Sequence, residues 1–185
     1  SWNRVVLHNH SPASDDYKDK DPNVARRISQ QIKNANLAVV MFTDHGKLPD
    51  AAFASQLSDQ CGRLILRGVE LNVFVDAFDK SEGKVSKNLF FHLLIGFDPE
   101  CPSSPDYWLD HIYRKCKKET RQSGEQTLVG ISASLEQLGE VLRTANAIII
   151  PAHLHSTPNA FKSRSIDDIY ADPEFLKYAK SYFTA

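Results

Sequence analysis

LAVVMFT, residues 37–43, is an almost unbroken apolar run that leads straight into Asp44, His45 and Gly46. A strand with one wet face alternates apolar and polar residues, whereas a run without alternation belongs to a strand covered on both faces, as in parallel α/β sheets. This stretch therefore points to a buried strand of a parallel sheet, and its neighbours decide whether helices alternate with it. Upstream, Asn3–Asn9 reads as a strand, and Asp21-Pro22 as an N-cap with proline at the first helical position. Val24, Ile28 and Ile32 then form one apolar stripe.

Downstream, the pattern predicts a helix between Pro49 and Gln60, and strands over Arg63–Asp76 (RLILRGVELNVFVD) and Asn88–Phe97 (NLFFHLLIGF). The polar DKSEGKVSK segment between these strands suits an exposed loop joining antiparallel neighbours. A loop over Pro102–Pro105 and a charged helix over Tyr107–Gln122 follow. Ser134 with Gln137 resembles a capping box, opening a helix whose Leu135, Leu138, Val141, Leu142 and Ala145 face the core. Ala147–Ala152 reads as a last buried strand, and Ile166–Tyr170 and Glu174–Tyr182 as helices. The expectation is one α/β domain over residues 1–185, with a mainly parallel sheet, open or partly closed into a barrel.

Composition limits what such a domain does. With 42% apolar residues in 185, the chain builds a real core, and its formal net charge of -1 excludes a surface made to coat nucleic acid or anionic lipid. Cys61, Cys101 and Cys116 make an odd set without a CxxC pair, which points away from a disulfide framework and toward a reducing, cytoplasmic setting. No apolar stretch approaches the roughly 20 residues of a membrane span. The chain begins at Ser1, which suggests an excised piece of a longer protein.

Six of seven histidines fall within or just past strand candidates: His8 and His10, His45, His92, His153 and His155. Glu70 lies within another. The carboxyl ends of strands in α/β folds converge on one rim, so these residues are candidates for a single pocket. Neutral imidazoles with carboxylates are the ligand set of Zn, Mn or Fe. His111 lies in a charged helix and Arg67 should face away from Glu70, so both are left out. Trp2 and Trp108 read as packing residues.

HNHSPASDD (8–16), FTDHG (42–46), RGVELN (67–72), FHLLIGF (91–97) and PAHLH (151–155), in that order, resemble the successive motifs of the PHP family, named for polymerase and histidinol phosphatase. The resemblance implies a distorted seven-stranded β/α barrel with two or three divalent metal ions at its carboxyl rim. His8 and His10 resemble ligands of a first metal, with Glu70 bridging two. Asp15, or its neighbour Asp16, with His45 resembles a second site, and His92 and His153 with Glu70 a third. Asp44 would orient His45 from behind. Lys47 lies where it would contact a phosphate.

The family's late Asp-x-His motif has no counterpart after His155, where Asp167, Asp168 and Asp172 stand without a nearby histidine. The barrel is therefore expected to be incomplete or truncated, with His155 a candidate replacement at the catalytic centre. The opening WNRVVLHNHSPASDDY resembles PHP domains that precede an ATPase module in the same polypeptide. The activity implied is metal-dependent hydrolysis of a phosphoester in a phosphorylated small molecule or nucleic acid. RKCKKETR and KSR, with Lys162 and Arg164, offer the cations a nuclease needs. A degenerate domain that docks a partner is the second reading. A metal-dependent amidohydrolase, which also starts with HxH, would need a strand-end lysine that neither the 63–76 nor the 88–97 strand provides where Glu70 and His92 stand.

Overall fold

The computed structural model describes residues 3–152 apart from 20, 80–83, 102, 124–125 and 133–134. His153, His155, the basic KSR segment and the two C-terminal helices of the sequence reading lie outside the described residues. In chain order the elements are β1 (Arg4–Val6), α1 (Val24–Asn34), β2 (Leu37–His45), α2 (Ala51–Cys61), β3 (Leu64–Asp79) and β4 (Lys84–Gly96). Then come α3 (Pro105–Lys115), β5 (Lys118–Ser123), β6 (Gln126–Ile131), α4 (Leu135–Thr144) and β7 (Ile148–Pro151).

One mixed sheet runs β1-β2-β3-β4-β7, with the β5–β6 hairpin attached to β3 through β6. β1–β2, β2–β3 and β3–β6 are parallel, while β3–β4, β4–β7 and β5–β6 are antiparallel. The sheet is thus less parallel than the apolar runs implied. The connection between β3 and β4 is shorter than expected too, because Lys84–Lys87 already pair in β4.

α1 starts at Val24 after Asn23 rather than at Pro22, and a larger difference follows α3. The charged helix stops at Lys115, and Lys117 takes a positive φ of 49°, which turns the chain back into a hairpin. RKCKKETR is rich in good helix formers, but Thr120, Thr127, Val129 and Ile131 carry strand propensity, and pairing of β6 with Asn72 and Val73 outweighs the local preference. β6 crosses β3 at close range. A Cβ on Gly130 would lie 2.3 Å from the Asn72 carbonyl oxygen, so only glycine fits.

All four helices pack on one face of the sheet. Val40 and Phe42 of β2 meet Ile28, Ile32, Leu57 and Cys61, and Val69, Leu71, Val73, Leu93 and Ile95 meet Trp108, Leu109, Ile112, Leu138 and Leu142. LAVVMFT is indeed buried on both sides, but its second side turns inward. There Met41, Leu66, Leu94 and Ala152 gather with Leu7, Val39 and Ile150. Residues near β1 and from β7 share this cluster, so the sheet rolls its edges toward each other without β1 and β7 pairing among the described residues. No helix among them is long and apolar enough to cross a membrane.

Candidate metal centre

The inner face is layered. Side chains alternate along a strand, so Leu66, Gly68, Glu70, Asn72 and Phe74 of β3 share the face that Met41, Thr43 and His45 present from β2. Register places His45 beside Glu70, and Glu70 beside Leu94, two residues from His92. Above the apolar floor the sheet therefore offers imidazole, carboxylate and imidazole across three strands. β1 ends at Val6, short of the predicted strand, yet the Thr43 N–H donates to the Asn9 carbonyl at 2.7 Å and holds the following segment alongside β2. This brings His8 and His10 to the same place, with ring centroids 5.4 Å apart.

Glu70, 1% exposed, is the hub. Its Oε2 lies 3.1 Å from His8 Nε2, 3.0 Å from His10 Nε2 and 3.4 Å from His45 Nδ1, and its Oε1 lies 2.5 Å from His92 Nδ1. Burial pushes the Glu70 carboxyl up, but hydrogen bonds from His10, His8 and His92 outweigh it and hold the group far below the usual carboxylate range. The Glu70 hydrogen bond in turn raises His10 above its ordinary 6.5 against the opposing effect of burial, with Asp16 adding to the rise. Burial lowers His45.

Of the two neighbouring aspartates, Asp16 rather than Asp15 turns inward. Asp16 Oδ2 lies 2.6 Å from His10 Nδ1 and 3.7 Å from His45 Nε2, and Oδ1 accepts from Ser14 Oγ at 2.5 Å. Burial alone would raise Asp16, but the bonds from Ser14 and His10 leave it lowered. Asp15 points out, 2.8 Å from Lys47 Nζ, whose ammonium lowers its pKa. Lys47 thus sits near the rim as expected, paired with Asp15. Both aspartates lie in a turn beyond β1, so identifying the inward one needed the turn geometry of Ser11–Ser14, which composition does not reveal.

Asp44 also differs from the expectation. Fully buried, it accepts from the Ser11 N–H at 2.7 Å and from Ser11 Oγ at 2.5 Å, so it anchors the histidine-bearing segment after β1 rather than His45. Arg67 faces the helices, as expected, with Nη1 2.7 Å from Asp106 and Nε donating to the Pro49 carbonyl. His111 stacks on Tyr107 away from the cluster, and Trp108 is buried in the core. The three cysteines are free thiols. Two further residues escaped the sequence reading: Tyr113, whose hydroxyl donates to the Gly46 carbonyl at 2.6 Å, and Asn72, whose Nδ2 donates to the Val129 carbonyl at 2.8 Å.

Among the described residues, two groups of donor atoms lie within 4.8 Å of one another: His8, His10 and Glu70, and His10, Asp16 and His45. Tetrahedral ligands about 2.0–2.1 Å from a cation are roughly 3.3 Å apart, close to the 3.0–3.4 Å between Glu70 Oε2 and three imidazoles. The donors fit a divalent metal in kind and spacing. His10 has carboxylates at both ring nitrogens, so ligation through Nε2 leaves Nδ1–H to Asp16, an arrangement that orients a metal-bound imidazole.

No family model and no curated sequence matches this chain. Among solved structures it is similar to a candidate metal-dependent phosphoesterase from Bifidobacterium adolescentis, at 16% identity and a TM-score of 0.53, over 98% of this chain and 84% of that one. At that identity the likeness speaks for the fold.

Proposed function

We propose that this chain is a PHP-type phosphoesterase domain that hydrolyses phosphoesters with two or three divalent cations, Zn, Mn or Fe. The convergence of His8, His10, His45 and His92 on the buried Glu70 carries this reading. The structural likeness to a candidate phosphoesterase and the five ordered motifs support it. Bound cations would lower the pKa of a coordinated water and neutralise phosphoryl charge. The chain's part is to hold them: His8, His10 and Glu70 at one position, and Asp16, His45 and Glu70 at a second. His92 and, by resemblance, His153 complete a third. Lys47 reaches the phosphate by exchanging Asp15 for it.

Among substrates, a phosphorylated small molecule is favoured over nucleic acid. Among the described residues, three of the cations read as a nuclease groove have partners within the chain: Arg114 with Asp110, Lys118 over the Tyr113 ring, and Arg121 with Glu119 over the Phe74 ring. The domain spans residues 1–185 and is proposed to serve a longer polypeptide that carries an ATPase module.

Elemental analysis of the purified chain followed by p-nitrophenyl phosphate hydrolysis with and without Mn²⁺ tests the proposal. Two or more ions per chain, Mn²⁺-dependent turnover, and loss of activity with chelator or in H8A/H10A are expected. Full activity of that double variant or indifference to chelator overturns the reading. One ion or none, without turnover, favours instead a docking module, the reading motivated by the absent late Asp-x-His motif.

A further inference from the structure

Asn72 stands two residues beyond Glu70 on the same face of β3, directly opposite His92 in the β3–β4 register. It is 5% exposed. Its Nδ2 donates to the Val129 carbonyl, and because a carbonyl only accepts, that bond settles which end of the amide faces β6. The other end, Oδ1, is buried and has no hydrogen-bond partner among the described residues. An orphaned buried acceptor costs stability, so its retention calls for a donor that arrives with function.

The neighbour that would supply one is across the strand. Directly opposed residues of antiparallel strands carry their Cβ atoms about 4.5–5.5 Å apart on the same face, so the Asn72 and His92 side chains leave the sheet as neighbours. A histidine that ligates a metal through one ring nitrogen keeps its proton on the other and gives it to an acceptor that fixes tautomer and ring plane. Glu70 cannot fill that role for His92 while its own oxygens are directed at cations.

We infer that Asn72 is the positioning residue for His92, its Oδ1 accepting the His92 ring N–H when His92 ligates a cation. The inference rests on the metal reading of the cluster. Zn²⁺ affinity of the full chain, measured by competition with a chromophoric chelator, tests it in two variants. N72L is close in shape and loses both amide functions, whereas N72D keeps an acceptor, loses the donor to Val129 and adds a negative charge. Affinity of N72L is expected to fall 10–100-fold, with N72D at or above the wild-type value because its added charge also favours a cation. Equal weakening of both variants, which is what a mere tie between β3 and β6 would give, overturns the inference, as does no weakening in either.

Failure of the wild-type chain to bind Zn²⁺ at all overturns the metal reading, and this inference with it. Independently of any variant, ¹⁵N-labelled histidine in the Zn²⁺-loaded wild type should show His92 in one tautomer with a slowly exchanging ring N–H. A mixture of tautomers overturns the inference even if N72L does not fold.

Discussion

The two faces of β3 are buried to the same degree and made of opposite chemistry. Val69, Leu71 and Val73 are 0–1% exposed and meet α3 and α4, while Glu70 and Asn72, at 1% and 5%, meet imidazoles and a carbonyl. Burial therefore does not separate structure from function in this strand. What separates them is whether the buried group finds its complement in other apolar atoms or in charge. The outer face earns stability by area removed from water. The inner face holds a carboxylate that desolvation penalises, retained because four imidazoles surround it.

Substitutions on neighbouring positions should break this comparison cleanly. Glu70→Gln is expected to abolish detectable cation binding and lower phosphoesterase activity by at least about a hundredfold, with the fold intact by circular dichroism. Leu71→Ala, one residue on, should do the reverse: a loss of about 2–5 kcal/mol in urea unfolding, with cation stoichiometry unchanged in the molecules that remain folded. If Leu71→Ala empties the site at full stability, the two faces are not independent.

Gly130→Ala tests how the hairpin is held against that strand. The added methyl meets the Asn72 backbone oxygen and the Phe74 ring, and an overpacking cost of about 1–3 kcal/mol is expected, visible as a lowered urea midpoint and faster amide exchange in β5 and β6.

A smaller effect sharpens the charge side. His10 is raised in the metal-free chain, so its contribution to stability is present below the ordinary 6.5 and is lost as pH rises through the raised folded value. Cation binding must displace that proton. Apparent affinity should therefore increase with pH until the raised His10 value is passed, by at most tenfold per unit for the one proton. Calorimetry in buffers of different ionisation enthalpy reads the released proton, and zero release would show that His10 does not ligate.

The hub of this site was legible because its members sit on strands. His45 ends the apolar run that decides the fold, and Glu70 and His92 interrupt two others; the convergence of strands does the rest. Residues placed by turns were not. One position separates Asp15 from Asp16 and reverses which way a carboxylate points, and Asp44 bonds backward to Ser11 because its strand parity is opposite to that of His45. The hairpin was missed for another reason. Its strands carry charged helix formers, and the pairing that overrides them reaches back to residues 72 and 73, beyond any local window.

β2 and β6 lie along the same flank of β3, one pairing as far as Glu70 and the other from Asn72 onward. The chain leaves β2 at that junction through Gly46, whose N–H still reaches the Glu70 carbonyl at 2.9 Å. Because the handover occurs past the last cluster-facing position of β2, the hairpin meets β3 only beyond Glu70, where Gly130 keys it to Asn72. Extra residues between Ser123 and Gln126 would add only the slow logarithmic cost of a longer loop, leaving the chemistry of the rim free to acquire new selectivity by insertion.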